Sequence, residues 1–292
     1  MKAFYDLPAP AKLNLFLHVV GRRDDGYHLL QSAFVLIDWF DTVHVERRDD
    51  GALARHDLGD ALPADDLCLR AARALQRASA TRLGADISIA KRLPAGAGMG
   101  GGSSDAATTL LALNRLWGLH WPRRRLMDLG LGLGADVPFF VHGRNAFVEG
   151  VGERLTTLDL PRQWFAVVKP PQGVETRRAF EHPLLVRNSE AVIIEGFLAD
   201  ASTRHGFGPG SFGRNDLQPP AMSLCGQVAE AASWLDARFG NSRMTGSGSA
   251  VFAGAGTGAR PSVEMPAGLP PGWIGRMCRS LAQHPLWGFA ED

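Results

Sequence analysis

The sequence predicts a two-domain fold of mixed helices and strands, organised around a glycine-rich loop that joins a strand to a helix. Three observations carry that expectation. Alternating apolar and polar residues mark strands over Ala11–Val20, Asp41–Arg48 and Asp86–Ala90. Runs rich in Ala and Leu mark helices over Leu67–Ala80 and Ala106–Trp117. The chain of 292 residues is long for one hydrophobic core, and its pattern restarts around Thr156–Pro161. The boundary is placed near residue 160, giving domains of 1–160 and 161–292.

Composition narrows the function. The net charge of +1 offers no basic field for a nucleic acid. No apolar run approaches membrane-spanning length, and the opening M-K-A-F-Y-D lacks the apolar core of a signal peptide. Cys68, Cys225 and Cys278 are odd in number and widely spaced, so they form neither a disulfide framework nor a metal site. They read as small buried hydrophobes in a reducing cytoplasm.

The central stretch is L-P-A-G-A-G-M-G-G-G-S-S-D-A-A, from Leu93 to Ala107. Glycines at 96, 98, 100, 101 and 102 let successive backbone N–H groups approach an oxyanion. A helix follows at once, and its N-terminus adds unpaired donors and partial positive charge. Ser103, Ser104 and Asp105 are N-cap residue types and are expected at the junction. A glycine cluster can also be a plain surface loop; the helix behind it favours a polyphosphate site. The loop lacks G-x-x-x-x-G-K-[ST], so it is not a Walker loop. Gly96-x-Gly98-x-x-Gly101 matches the dinucleotide pattern, but its context fails. An acidic strand end is required about 20 residues on, and Trp121-Pro-Arg-Arg-Arg125 stands there.

The remaining elements follow in order. On the Ala11–Val20 strand, Leu13, Leu15, Leu17 and Val19 take one face and Lys12, Asn14, Phe16 and His18 the other. A half-buried strand results, and on the strand alone Lys12 and Asn14 read as solvated edge residues. Gly21–Gly26 is a turn, leading to Tyr27, His28 and an apolar run to Phe40. Tyr27 offers a ring face and His28 ring nitrogens to a flat heterocycle, or both simply pack at a strand start. Asp65 or Asp66 caps the Leu67 helix. Pro122 begins a helix that stops near Leu133-Gly134. Asp136, two residues before Pro138, is either an N-cap or a carboxylate presented beside the phosphate site. Asn145–Leu155 reads as a hairpin or a bulged strand, Trp164–Val168 as a strand, and Arg177–Phe180 as a helix start. Ala201–Gly213 is expected to be a mobile loop. One helix is expected over Met222–Phe239, then a glycine turn at Gly246-Ser-Gly248 entering a strand.

Three separated stretches, the Lys12 strand, the glycine loop and the Gly246-Ser-Gly248 turn, resemble the three motifs of the GHMP kinase superfamily. P-A-K-L-N-L-F-L (Pro10–Leu17), D-G-Y-H (Asp25–His28), P-A-G-A-G-M-G-G-G-S-S (Pro94–Ser104), G-A-D-V-P (Gly134–Pro138) and E-G-V-G-E (Glu149–Glu153) carry the resemblance across nearly the whole chain. It implies an α+β, two-domain architecture with the active site in the cleft between an N-terminal ATP-binding domain and a C-terminal domain that contributes to the substrate site. It implies transfer of the ATP γ-phosphoryl group to the 2-hydroxyl of a cytidine-diphosphate-linked methylerythritol, a step of non-mevalonate isoprenoid synthesis.

The resemblance also assigns residues. Asp136 is implied as general base, with Lys12 beside it and Asn14 toward the erythritol end. Pro94, Ala95, Gly96, Ala97, Gly98, Met99, Gly100, Gly101, Gly102, Ser103 and Ser104 are implied to hold the phosphates, and Leu67 and Lys91 to flank adenine. Tyr27 and Phe180 are implied as stacking faces for cytosine, with His28 as a hydrogen-bonding partner and Val151 in the substrate site. Magnesium is expected with ATP, with Ser104 as candidate ligand. The family pattern has Asn before Leu67, where this chain has Asp66, a carboxylate without the amide's donor. A cytoplasmic monomer or weak homodimer is expected, with no nucleic-acid or membrane partner. Two other readings stand beside this one: a GHMP kinase for mevalonate, homoserine or a sugar, and a nucleotide-binding sensor without chemistry. Tyr27-His28 and G-A-D-V-P weigh against the former, intact Lys12 and Asp136 against the latter.

Overall fold

The computed structural model describes residues 2–203, 212–266 and 268–292. Two long strands open the chain, β1 (Ala3–Arg22) and β2 (His28–Arg48), paired antiparallel along most of their length. Both extend well past the alternating stretches expected from the sequence. Their middles are buried on both faces, Leu7 and Ala9–Val19 in β1 and Gln31–Ile37 in β2. Burial on two faces removes the period-2 signal, which marks only half-buried strands. It also corrects the expectation of solvated edge residues: Lys12 is 3% exposed and Asn14 1%.

The first half continues with β3 (Leu53–Asp57), α1 (Leu67–Ser79), β4 (Gly84–Ala90), α2 (Gly101–Leu116), α3 (Arg123–Leu131), α4 (Val137–His142), β5 (Ala146–Gly150) and β6 (Arg154–Thr157). Its sheet runs β3-β4-β2-β5-β6, with β1 on β2. The early half of β2 pairs with β5 and its late half with β4, which leaves room for α2 to pack across the sheet. α2 is buried nearly all round from Ser104 to Leu116, as a helix at the centre of a core must be. β5 and β6 form the expected hairpin.

The second half holds β7 (Trp164–Lys169), α5 (Thr176–Glu181), α6 (Ile194–Thr203), α7 (Gln218–Leu224), α8 (Gly226–Phe239), β8 (Arg243–Met244), β9 (Val251–Gly254) and β10 (Ile274–Arg279). Its sheet runs β10-β7-β9-β8, all antiparallel. The single helix expected over Met222–Phe239 is two. Cys225 adopts an extended backbone at φ −146° and ψ 100°, ending α7 and opening α8, and Gly226 beside it adds little helical preference to carry one helix through. Of the loop expected at 201–213, the first residues close α6 and residues 204–211 lie outside the described residues. Beyond β10 the chain returns to the first half. Leu281 N–H donates to Leu36 O, His284 N–H to Gly143 O, and Leu286 joins the core around α2.

Candidate active site

The glycine loop closes sooner than the sequence suggested. α2 begins at Gly101, with Gly100 at its N-cap in the left-handed region and no side chain accepting from its first amides. Ser103, Ser104 and Asp105 therefore lie inside the helix, a correction to their expected capping role. The chemical reason favours this arrangement: a capping side chain would occupy the amides that an anion needs. Gly98 and Gly100 are required by shape. A Cβ at Gly98 would stand 2.3 Å from Thr245 O, and one at Gly100 would stand 2.9 Å from the Phe140 ring, each at positive φ.

Three pieces of chain meet at this loop. Lys12 N–H of β1 donates to Met99 O at 3.0 Å. Ser249 and Ala250 N–H, from the glycine turn before β9, donate to Gly96 O and Ala97 O at 3.1 and 3.2 Å. Thr245 Oγ1 lies 3.5 Å from Gly98 O and accepts from Asn14 N–H at 3.0 Å. Nothing in the sequence singled out Thr245 beyond its place next to Gly246.

Asp136 sits at the N-cap position of α4, yet its carboxylate makes no capping hydrogen bond. It faces Lys12 instead, with Oδ2 3.5 Å from Nζ. The Lys12 ammonium also donates to Asn14 Oδ1 at 2.5 Å and lies 4.4 Å from the centre of the Phe34 ring. Burial pushes the Lys12 pKa down, and Asp136 pulls it back. The Asp136 side chain keeps 30% of its surface exposed, whereas that of Lys12 keeps 4%. A buried cation and a reachable carboxylate thus stand together next to the loop.

A cavity of about 420 Å³ opens along the loop. Pro94 through Gly102 line it, together with Leu62, Pro63, Leu67 and Lys91. Lys91 is held from behind. Its ammonium bonds Asp41 Oδ2 and, at 2.6 Å, Asp105 Oδ2. Asp41 Oδ1 accepts from Arg92 and Leu93 N–H at 2.5 and 2.8 Å, which fixes the entry to the loop. Burial raises the Asp105 pKa to about 7 even beside Lys91. Asp66 is occupied as well: Oδ1 caps α1 by accepting from Leu69 N–H at 2.9 Å, and Oδ2 lies 3.2 Å from Arg55 Nη1. Of the two caps the sequence allowed, Asp65 or Asp66, it is Asp66. Ser104 is fully buried, and among the described residues its hydroxyl has no hydrogen-bond partner.

The remaining candidates do not line this cavity. His28 stacks on Phe180 of α5, with ring centroids 4.9 Å apart and planes inclined by 28°. Burial lowers the His28 pKa, and Arg187 and Arg22 add to the effect. Tyr27 is 65% exposed beside them. Val151 lies in the β5–β6 turn, its N–H donating to Glu153 Oε2 at 2.7 Å. The next residue, Gly152, packs against Ala135, the neighbour of Asp136. Asp41 and Thr245 were missed, and Asp105 was expected only as a helix cap, not as the partner of Lys91. Asp41 left one trace in the sequence, a carboxylate opening the expected Asp41–Arg48 strand directly after Phe40.

Comparison with known proteins agrees with this geometry. The model for the GHMP kinases N terminal domain matches residues 66–144. A protein of Methylibium petroleiphilum named 4-diphosphocytidyl-2-C-methyl-D-erythritol kinase is 65% identical over 288 residues, covering 98% of this chain and 98% of its own length. One of the same name from Variovorax paradoxus is 59% identical, covering 99% of this chain and all of its own length. A crystal structure of 4-(cytidine 5'-diphospho)-2C-methyl-D-erythritol kinase superposes with TM-score 0.73 at 36% identity, covering 86% of this chain and 90% of that one. Homoserine kinase from Cytophaga hutchinsonii shares the fold at TM-score 0.68 and 15% identity, covering 97% of this chain and 96% of that one.

Proposed function

The chain belongs to the 4-diphosphocytidyl-2-C-methyl-D-erythritol kinase family of GHMP kinases, and from that premise we propose that it transfers the γ-phosphoryl group of ATP to the 2-hydroxyl of 4-diphosphocytidyl-2-C-methyl-D-erythritol. The product feeds non-mevalonate isoprenoid synthesis. The observation that carries this reading is the Lys12–Asp136 pair, 3.5 Å apart and next to an uncapped helix start.

Phosphoryl transfer asks a protein for positioning and charge stabilisation more than for covalent chemistry. The amides of the glycine loop hold the β- and γ-phosphates. Asp136 takes the proton of the acceptor hydroxyl as its oxygen bonds the γ-phosphorus. The bond from that phosphorus to the bridging oxygen breaks, and ADP leaves. Lys12, fixed and desolvated, offsets negative charge growing on the transferring group, where a buried charge acts most strongly. Tyr27, His28 and Phe180 receive the cytosine end, and Val151 borders the substrate.

Magnesium accompanies ATP in this reading. Among the described residues no three acidic, His or Cys groups gather into a metal cage. Magnesium commonly takes one or two protein ligands and the substrate's phosphate oxygens, and the unpartnered Ser104 hydroxyl suits such a role. The ion would supply positive charge to the phosphates. Among the described residues no helix is long and apolar enough to cross a membrane, in keeping with a cytoplasmic setting.

A coupled assay of ADP release tests the proposal directly. ADP should form only when the cytidylyl substrate is added, not with mevalonate, homoserine or galactose. Asp136→Asn should lower turnover by on the order of a hundredfold or more with the melting temperature little changed. Near-normal turnover in that variant would refute the base assignment; activity on mevalonate alone would refute the substrate.

A further inference from the structure

Between Asn14 and Leu17 the pairing of β1 with β2 slips, so that β1 carries an extra residue there. Such a bulge leaves backbone groups outside the ladder and commonly re-aims side chains beside active sites. Here three of those groups have partners outside the ladder. Leu15 O accepts from Arg243 Nη1, and Leu17 N–H donates to Arg214 O at 2.9 Å. Phe16 O accepts from the Ser32 hydroxyl.

That last bond fixes a direction. A carbonyl oxygen only accepts, so the Ser32 O–H must point to Phe16. The Ser32 oxygen is then left as an acceptor toward Asn14, 3.0 Å from Nδ2. The Asn14 amide must turn its NH2 to Ser32 and its oxygen to Lys12, 2.5 Å from Nζ. Thr245 holds the same residue from the other domain, accepting from Asn14 N–H and lying 3.3 Å from Oδ1.

We infer that Ser32 is a positioning residue: through the relay Phe16 C=O, Ser32 O–H and Asn14 amide, it keeps an oxygen rather than an NH2 group facing the Lys12 ammonium. Asn14 then serves chiefly to hold Lys12. This gives Asn14, whose side chain is buried and spent on protein partners, a task that does not need contact with the substrate. The inference rests on the kinase reading for its catalytic meaning.

The surroundings of Lys12 make the orientation matter. Phe34 offers a ring face, Asn14, Ser32 and Thr245 are neutral, and Asp136 is the charged neighbour among the described residues. Burial already pushes the ammonium toward losing its proton. An amide turned the other way would set two donors against each other and push it further.

The chain has four lysines, Lys2, Lys12, Lys91 and Lys169, so 13C-lysine labelling with a Lys12→Met assignment control resolves Lys12 by NMR. In Ser32→Ala the Lys12 titration midpoint should fall by about one pH unit. The alkaline limb of kcat/KM should move down with it, and Ser32→Thr, which keeps the hydroxyl, should restore both. A midpoint in Ser32→Ala equal to that of the parent protein would overturn the inference. A second measurement needs no variant: in the parent protein the Asn14 Nδ2 protons should show NOEs to Ser32 Hβ, and NOEs to Lys12 Hε instead would equally overturn it. The NMR titration uses no substrate, so a failed kinase assay and a failed relay are separate results.

Discussion

Tyr27 leaves most of its surface open, while its neighbour His28 is already stacked on Phe180. An exposed ring next to a stacked pair is a seat for one more flat ring, and base–aromatic stacking is worth about 1–3 kcal/mol. Tyr27→Ala should therefore raise KM for the cytidylyl substrate about tenfold and leave KM for ATP unchanged. Initial rates with each substrate varied in turn check this; equal rises would deny the stacking role. In the sequence, D-G-Y-H is the motif that pointed to Tyr27 and His28 as a pair. The contrasting case is Asn14. The alternation of the strand placed it beside Lys12 correctly, but no one-dimensional pattern could show that Ser32, in another strand, and Thr245, far along the chain, bond its side chain.

Among the elements, the stretch after β10 was unreadable because it follows no period. Individual polar contacts hold it. Arg123, the buried first residue of α3, donates to Val141 O, Trp287 O and Ala290 O and pairs with Asp292. His284 N–H donates to Gly143 O, and its Nδ1 accepts from Leu286 N–H at 3.0 Å. Burial, with Arg123 nearby, holds the His284 pKa down at about 3. The unfolded chain takes up this proton as pH falls through about 6.5, the folded chain only near 3. The stability it contributes is thus complete above about pH 6.5 and drains away toward acid. His284→Asn keeps an oxygen for the Leu286 amide and does not titrate. Its melting temperature should fall less steeply than that of the parent protein between about pH 6.5 and 4. Parallel slopes in scanning calorimetry would contradict this. Helix α1 was foreseen, and its cap was narrowed to Asp65 or Asp66, of which the structure selects Asp66, because a helix and its cap are local signals.

For the molecule as a whole, the glycine loop belongs to both halves. Gly96 and Ala97 lie between the strand and helix of the first sheet, yet their carbonyls receive N–H bonds from Ser249 and Ala250 at the edge of the second. The loop and the late glycine turn were each visible as glycine clusters; that they touch was not, since more than 140 residues separate them. Adding a nonhydrolysable ATP analogue should slow hydrogen exchange at the Ser249 and Ala250 amides, read by NMR or by mass spectrometry of overlapping peptides. Unchanged exchange there, with slowing confined to residues 94–104, would show that the two halves respond separately.

Responding so, those two amides become gauges of occupancy built into the second half of the chain. A chain severed between its halves could keep every phosphate-facing glycine and still lack the brace that gives their backbone its curvature.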